Sequence, residues 1–234
     1  YKYLFTIKNY DFIVVRMGFQ LSDNIYIELK KNNPCAKFIN FHWDSLKETY
    51  NYLPISKYFD RVFSFDLTDC KKHNHITYLP LFYIEEYSNV RRISYEIDQV
   101  IDLLFIGSWR NQERFSLIEQ TREQCIKKDI NFFSYLFLDN KDFVRFLFKF
   151  DYKRNVQLSP LSHQKIAEYF SRSKVIIDFP SSFQSGLTMR TFEALSAGKK
   201  LITTNANIIY EPFYDDSYIS IVDPSALAID KDFV

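Results

Sequence analysis

Residues 174–204 read KVIIDFPSSFQSGLTMRTFEALSAGKKLITT, and this stretch decides the fold class. KVIIDF (174–179) is short, apolar and rich in β-branched residues, which is typical of a strand buried on both faces. A polar loop follows, and residues 187–197 then have the spacing of a helix that ends at Gly198. KLITT (200–204) is a second strand. A strand, a helix and a strand joined by short loops indicate parallel strands and therefore an α/β protein.

The same alternation continues along the rest of the chain. In the first part it predicts strands at 11–17, 37–41, 61–65 and 77–82, and helices at 21–31 and from Asp44 or Ser45 to Tyr52. In the second part it predicts strands at 102–106, 131–138 and 218–222, and helices at 111–128, 141–150 and 162–172. Residues 84–100 are charged and weakly patterned, so we place the domain connection there. We predict two Rossmann-like domains with parallel sheets, residues 1–88 and 89–234, the first of them incomplete because it begins in mid-pattern.

The composition is that of a globular protein with balanced charge. The 234 residues include 30 Lys and Arg against 29 Asp and Glu, and 47% are hydrophobic, which excludes a disordered or low-complexity chain. The near-neutral balance argues against a dedicated nucleic-acid binder. Three cysteines without C-x-x-C spacing favour a reducing compartment over a disulfide framework or a zinc site. Because no apolar run reaches the ~18 residues needed to span a bilayer, we expect a cytoplasmic protein.

The loop 180–185 and the helix after it form the strongest candidate site. Ligands of open parallel sheets bind beyond the carboxyl ends of the strands, and this loop follows such an end. We expect the helix to start at Gly186, where free N–H groups and the positive end of the helix dipole suit a phosphate. Arg190 adds a forked cation in the first turn, and Glu193, on the same face, offers a carboxylate to the hydroxyls of a ribose. The alternative is an ordinary surface ion pair between these two side chains.

A second cluster, Gly107-Ser108-Trp109-Arg110, follows the predicted strand 102–106, and Arg114 lies four residues further on. A glycine at a strand end lets a ligand approach the backbone, and Ser108 with the first amides of the next helix suits a phosphate. Arg110 and Arg114 are candidates to neutralise a leaving diphosphate. The alternative is a helix N-terminus with two solvated arginines.

The sequence resembles the GT-B glycosyltransferases. The resemblance rests on QSGLTMRTFEAL (184–195), GKKLITTN (198–205), FHWDS (41–45), FDRVFSFD (59–66), YLPLFY (78–83) and FIGS (105–108). The first two segments are similar to the donor-binding segment of a bacterial group that builds lipopolysaccharide or capsular polysaccharide. The resemblance implies two Rossmann-like domains and transfer of a sugar from a nucleotide-diphosphate sugar to a glycan or lipid-linked acceptor.

The resemblance also implies a donor nucleotide held mainly by the C-terminal domain. In GT-B enzymes with an E-x7-E motif the second Glu contacts the donor ribose, and Glu193 matches it. The first Glu is replaced by Ser185 here, so we expect Ser185 or Gln184 to substitute with neutral hydrogen bonds. The full candidate set for the donor is Gly107, Ser108, Arg110, Arg114, Gln184, Ser185, Gly186, Leu187, Thr188, Arg190 and Glu193. No Asp-x-Asp stands at a predicted strand end, so we expect no metal ion and no cofactor besides the donor substrate.

The segment HWDS (42–45) follows a predicted strand of the first domain and holds two candidates for the catalytic base. An inverting glycosyl transfer needs a group that deprotonates the acceptor hydroxyl, and Asp44 or His42 can serve. The alternative is that the Asp-Ser pair only caps the next helix. Asp66 and Asp69 are weaker candidates of the same kind.

Lys141, Arg145 and Lys149 form a cationic stripe at i, i+4 and i+8 on an aromatic segment. The stripe is either a contact with anionic lipid of the inner membrane, where a lipid-linked acceptor would sit, or the solvated face of a core helix. Two other functions stay open, since fold does not settle chemistry. They are a nucleotide-sugar epimerase of the same fold and a non-catalytic module that binds a nucleotide or a sugar.

Overall fold

The structure is a computed structural model, and it describes residue 3 and residues 6–47, 51–93, 98–139 and 156–234. The chain divides into two compact units. Unit 1 consists of Tyr1–Leu81 and Ser182–Leu187, and unit 2 of Phe82–Ser181 and Thr188–Val234.

Unit 1 is built on a four-stranded parallel sheet. Its strands are β1 (Phe12–Arg16), β2 (Lys37–His42), β3 (Arg61–Ser64) and β4 (Ile76–Tyr78), in the order β1-β2-β3-β4. The connections carry helix α1 (Asp23–Asn32), helix α2 (Leu67–Lys72) and a 3₁₀ helix at Leu53–Tyr58. Apolar side chains of α1 and β2, among them Ile25, Leu29 and Phe38, form a core against the sheet.

Unit 2 is built on a six-stranded parallel sheet in the order β10-β9-β8-β5-β6-β7. Its strands are β5 (Ile101–Ser108), β6 (Phe132–Phe137), β7 (Val156–Gln157), β8 (Ser173–Asp178), β9 (Lys200–Thr203) and β10 (Ile219–Ile221). Its helices are α3 (Glu85–Ile93), α4 (Gln112–Lys128), α5 (His163–Ser171), α6 (Met189–Ser196) and a 3₁₀ helix at Ala206–Tyr210. The central strands β5 and β8 are buried on both faces, as their continuous apolar runs predict. The predicted fold class, two α/β units with parallel sheets, is confirmed.

The helix predicted from Asp44 or Ser45 to Tyr52 is wrong in its described part. Residues 44–47 and 51–52 contain no helix. The buried carboxylate of Asp69 accepts hydrogen bonds from the Leu46 amide (2.8 Å) and from the Tyr52 hydroxyl (3.3 Å). The Asp69 side chain, from α2, therefore supplies the Leu46 amide with the hydrogen-bond acceptor that a helix would otherwise provide from its own backbone.

The segment predicted as the domain connection, residues 84–100, contains helix α3. Tyr87 and Val90 are buried at i, i+3 spacing on one side of α3, and its ends carry acidic and then basic residues that complement the helix dipole. The predicted boundary between residues 88 and 89 falls inside this helix, whereas the compact units change after Leu81. The high charge of the segment belongs to the exposed face of an amphipathic helix rather than to a linker.

Three strand and helix ends also differ from the sequence predictions. β5 continues to Ser108 instead of ending at residue 106, because Gly107 and Ser108 still pair with β6. β4 ends at Tyr78, two residues before Pro80, which cannot donate to a ladder. α6 begins at Met189 with Thr188 as its N-cap, not at Gly186. The cationic stripe Lys141, Arg145 and Lys149 and the helix predicted at 141–150 lie outside the described residues.

Candidate functional site

The strongest candidate site lies at the carboxyl edge of the unit 2 sheet, where the neighbouring strands β5 and β8 end. β8 ends at Asp178, which is buried although it carries a carboxylate. Its Oδ2 accepts hydrogen bonds from the hydroxyls of Thr188 (2.5 Å) and Thr191 (3.0 Å). The end of β8 is thereby joined to the first turn of α6.

Opposing effects act on the pKa of the Asp178 carboxyl. Burial raises the pKa of Asp178, while hydrogen bonds from Thr188 and Thr191 and the positive charges of Arg114 and Arg190 act in the opposite direction. Since the Thr188 hydroxyl is directed at Asp178, the Thr188 side chain accepts no hydrogen bond from the first-turn amides of α6. The N-terminus of α6 therefore lacks the side-chain cap that a threonine at this position commonly supplies.

Arg190 and Glu193 form a close ion pair on α6, with 2.7 Å between Nη1 and Oε2. Their side chains are only 17% and 6% exposed, so the pair is not the solvated surface pair of the alternative interpretation. The guanidinium lies 5.2 Å from the centre of the Phe170 ring. The Tyr87 hydroxyl lies 3.1 Å from Nδ1 of His163, and burial, together with the Glu193 charge, raises the pKa of Tyr87 to about 12. The two side chains are fixed by packing before any ligand binds.

The second predicted cluster is only partly assembled. Arg114, in the first turn of α4, donates from Nη1 to the carbonyl of Ser108 at 3.2 Å. It is half-buried, which contradicts the solvated alternative, whereas Arg110 is exposed. The amide of Arg114 donates to the N-cap side chain of Asn111 (2.9 Å) and is not directed at a ligand. Arg114 thus belongs with Asp178 at the carboxyl edge.

The loop predicted as part of the donor domain is grouped with unit 1. The backbone N and the hydroxyl of Ser185 both donate to Asp66, at 2.8 and 2.6 Å. At Gly186 a Cβ would stand 2.3 Å from the carbonyl oxygen of Phe65, so only glycine fits this close approach. Leu187 is buried and Gln184 half-buried in the same loop. The Ser185 hydroxyl therefore donates to Asp66. This contact does not fit the expectation that Ser185 takes the place of the first Glu of the motif.

The candidate bases occupy different environments in unit 1. His42 is fully buried, with its ring stacked on Tyr52 at 3.4 Å between centroids and Nε2 hydrogen-bonded to Asn40. Burial lowers the pKa of His42 to about 3, so the imidazole is neutral and weakly basic. Asp44 is half-buried and lies two residues after the end of β2. Of the two candidates, only Asp44 is partly exposed to solvent.

The weaker candidates Asp66 and Asp69 are structural. Asp66 is buried and caps α2 by accepting hydrogen bonds from the amides of Thr68 and Asp69. Burial raises the pKa of Asp69, whose carboxylate holds the Leu46 amide. Neither arrangement leaves a carboxylate presented to solvent.

Unit 1 has a pocket of about 430 Å³ at the carboxyl ends of β1 and β2. Trp43 and Arg16 line it, and the guanidinium carbon of Arg16 lies 4.0 Å from the Trp43 ring centre. Trp43, which lines this pocket, directly precedes Asp44 in the sequence. It gives unit 1 a concave surface with an aromatic face and a cation.

The sequence missed two members of the carboxyl-edge cluster. Asp178 had a detectable signal, since it is the charged end of an apolar run and precedes two threonines on the next helix. Tyr87 had none, because it lies on a different helix about a hundred residues before Arg190 and Glu193. Among the described residues, no group of three or more His, Cys, Asp or Glu side chains could hold a metal ion. Of the helices that the structure describes, none is long and apolar enough to cross a bilayer.

No protein-family profile and no curated protein matches this sequence. Solved structures match it at the level of fold. An alpha-glucosyltransferase in complex with UDP and a 13-mer DNA containing a central A:G mismatch superposes with a TM-score of 0.60 at 14% identity, over 96% of this chain and 70% of that one. A glycosyltransferase from Rickettsia africae gives 0.51 at 14% identity, over 92% and 62%. The catalytic domain of starch synthase IV from Arabidopsis thaliana, bound to ADP and acarbose, gives 0.52 at 9% identity, over 91% and 62%.

These likenesses establish the fold. The chain has the α/β architecture of GT-B glycosyltransferases, with two parallel-strand sheets. It spans 62% of the length of two of these three structures and 70% of the third.

Proposed function

We propose that this chain transfers a sugar from a nucleotide-diphosphate sugar to a glycan or lipid-linked acceptor. The observation that carries the proposal is the preformed Arg190–Glu193 pair at the N-terminus of α6, directly after the carboxyl edge of the sheet. Open α/β sheets bind ligands at this edge. The fold likeness supports the proposal, because the neighbours include a glucosyltransferase complexed with UDP and a starch synthase bound to ADP.

In the proposed mechanism, unit 2 binds the donor. Amides of the α6 N-terminus and the Arg190 guanidinium face the diphosphate, where a helix dipole and a forked cation both favour negative charge. Arg114, with Arg110 from the adjoining loop, adds positive charge. The Glu193 carboxylate accepts hydrogen bonds from the ribose hydroxyls, which are donors that an acceptor-only group can satisfy.

Catalysis then depends on charge stabilisation and on a base. Negative charge grows on the leaving diphosphate in the transition state, and fixed cations and amides stabilise it without reorganising. We assign this role to the arginines and amides and not to a metal ion. Asp44 deprotonates the acceptor hydroxyl, and the Arg16–Trp43 pocket of unit 1 contacts the acceptor.

The proposed biological setting rests on the sequence resemblance. The segments 184–195 and 198–205 are similar to enzymes that build lipopolysaccharide or capsular polysaccharide in bacteria. We propose the same role, in the cytoplasm at the inner face of the membrane. The cationic stripe of Lys141, Arg145 and Lys149 is the proposed contact with anionic lipid.

Nucleotide binding tests the donor site directly. Calorimetry with UDP, GDP, ADP and dTDP is expected to find one preferred nucleoside diphosphate. Arg190→Gln and Glu193→Gln should each weaken its binding by about tenfold or more, since each removes a charge-assisted hydrogen bond. The matched controls are Arg92→Gln and Glu86→Gln on the exposed face of α3, which should bind as the unmodified chain does. Equal affinity in the site variants and the controls would refute the donor site.

Turnover separates the proposal from its two rivals. A panel of nucleotide sugars that carry the preferred nucleoside diphosphate is tested as donors. At least one should be consumed only when an acceptor glycan is present, and EDTA should leave the rate of transfer unchanged. Interconversion of free nucleotide sugars without an acceptor would indicate an epimerase. Binding of a nucleotide sugar without any turnover would indicate a non-catalytic module.

A further inference from the structure

Unit 2 has a second concave site, at the edge of the sheet opposite to the proposed donor site. This aromatic pocket has a volume of about 510 Å³, and we define it by Tyr83, Arg91, Gln99, Phe213, Asp215 and Tyr218. Gln99 and Tyr218 lie just before strands β5 and β10, so the pocket lies at the amino ends of these strands. Asp178 lies at the other end of the sheet, where β8, the neighbour of β5, ends. No group in the proposed transfer mechanism belongs to it.

Three aromatic side chains of the pocket are exposed to solvent. The exposed fractions are 50% for Tyr83, 39% for Phe213 and 54% for Tyr218. Single exposed aromatics are ordinary, but several gathered in one concavity mark a binding surface. Phe213 is held edge-on to Phe192 at 6.0 Å between centroids, so its ring is oriented before a ligand arrives.

The polar groups of the pocket are also held in place. The Asp215 carboxylate accepts hydrogen bonds from the backbone N (2.9 Å) and the hydroxyl (2.6 Å) of Ser217, and these bonds lower the pKa of Asp215. The stem of Arg91 packs over Gly198, where a Cβ would stand 3.1 Å from the Arg91 Cγ. Gly198 has a φ of 68°, the left-handed geometry that ends α6. One carboxylate and one guanidinium thus stand beside the aromatic rings.

The exposed charges that line the pocket, on Asp215 and Arg91, balance each other, which favours a neutral ligand. The ammonium of Lys199, which also lines the pocket, is buried and lies 3.5 Å from the Ser171 carbonyl. A phosphate-bearing ligand would need an excess of exposed cations. The volume falls in the range of about 300–1,000 Å³ that small-molecule sites occupy.

We propose that the aromatic pocket is a carbohydrate-binding site for a neutral hexopyranose chain, separate from the donor site. A pyranose ring has apolar C–H faces that pack on aromatic rings and a rim of hydroxyls. The hydroxyls donate to Asp215 and accept from Arg91 and from the Gln99 amide, a combination that a sugar satisfies in both directions. A site of this kind would retain a glycan on the protein through successive reactions at the other edge of the sheet.

Ligand-observed NMR with oligosaccharides tests this proposal. The probes are hexasaccharides of glucose (α-1,4 and β-1,4), of mannose and of N-acetylglucosamine. At least one is expected to bind in the millimolar range, with or without saturating nucleoside diphosphate. Tyr218→Ala and Phe213→Ala should each weaken that binding by about fivefold or more, as truncation of a contacting aromatic does. The matched control is Tyr210→Ala, which removes a 73% exposed ring outside the pocket.

The outcomes distinguish this site from the proposed transferase site. Asp215→Asn should weaken oligosaccharide binding and leave nucleotide binding unchanged, whereas Arg190→Gln should do the reverse. Circular dichroism would detect a failure of Phe213→Ala to fold. In that case Asp215→Asn still tests the proposed carbohydrate site. Failure of all four probes to bind, or equal binding by Tyr218→Ala and Tyr210→Ala, would overturn the carbohydrate site and leave the donor site unaffected.

Discussion

The hydroxyl of Ser185 donates a 2.6 Å hydrogen bond to the carboxylate of Asp66, a residue 119 positions earlier in the chain. The Ser185 amide donates to the same carboxylate, which also accepts from the amides of Thr68 and Asp69. One buried side chain therefore caps α2 and fixes the loop that precedes α6. A buried carboxylate with four donors is a structural element, and its removal leaves those donors unsatisfied.

We expect Asp66→Ala to lower the free energy of unfolding by about 2–4 kcal/mol, because it removes a helix cap and leaves buried amides without partners. Asp66→Asn keeps one acceptor oxygen and should lose less than Asp66→Ala. Urea denaturation measures both effects. Asp216→Ala, at an exposed position, is the control and should change stability by less than about 0.5 kcal/mol. A loss for Asp66→Ala no larger than that of the control would contradict the structural role.

Asp178 is expected to position the first turn of α6 without touching the ligand. Asp178→Asn keeps the shape but weakens the two threonine hydrogen bonds, so we expect a several-fold loss of nucleoside-diphosphate affinity. Thr188→Val removes one of these bonds and should have a smaller effect in the same direction, whereas Thr188→Ser keeps the hydroxyl and should restore affinity. Calorimetry on the three variants measures the series. If Thr188→Val and Thr188→Ser bind equally, the hydroxyl contact has no role in the site.

The sequence predicted those parts of the fold that local pattern determines. KVIIDF predicts β8 to within a residue, and Asn111 marks the start of α4, because burial on both faces and an N-cap are signals carried within a few positions. The start of α6 was misplaced by three residues, because Gly186 looked like a helix start. Glycine is required at position 186 because the Phe65 backbone approaches it closely, and no local sequence pattern reveals that contact.

The candidate site was predictable where one helix carries it and not where distant segments meet. The i, i+3 spacing placed Arg190 and Glu193 on a shared face. That Tyr87 interacts electrostatically with both, or that Ser185 donates to Asp66, depends on contacts across about a hundred residues. The burial of His42 was missed for the same reason, since the stacked ring of Tyr52 belongs to a segment that was assigned to a helix.

Lys199 is a buried lysine that destabilises the fold at neutral pH. Burial lowers the pKa of Lys199 to about 8 from an ordinary value of 10.5. The unfolded chain therefore binds the proton more tightly, and stability falls as the pH drops from 10.5 to 8, then stays level. At about 1.4 kcal/mol per pKa unit, the buried charge costs up to about 3 kcal/mol at pH 7.

We expect Lys199→Met to raise the free energy of unfolding at pH 7 by about 1–3 kcal/mol, with part of the gain lost to the missing hydrogen bond to Ser171. The advantage over the unmodified chain should shrink between pH 8 and 10.5. Urea denaturation at pH 7, 8, 9 and 10 measures it. Lys231→Met, at an exposed position, serves as the control. A gain that does not change with pH would mean that the ammonium is not desolvated.

His42 makes the fold sensitive to acid. Burial lowers the pKa of His42 to about 3 from 6.5, so the unfolded chain binds a proton that the folded chain does not across this interval. Stability is fully present above pH 6.5 and is lost as the pH falls toward 3, by about 1.4 kcal/mol per pH unit from this residue.

His42→Gln, which cannot titrate, should lower stability at pH 7 through the lost stacking on Tyr52 but flatten the decline of stability between pH 6.5 and 4. The control is the exposed His75→Gln, which should keep the steep decline. Denaturation at several pH values and the NMR titration of the imidazole give the two readouts. A His42 that titrates near pH 6.5 in the folded protein would contradict the burial on which this argument depends.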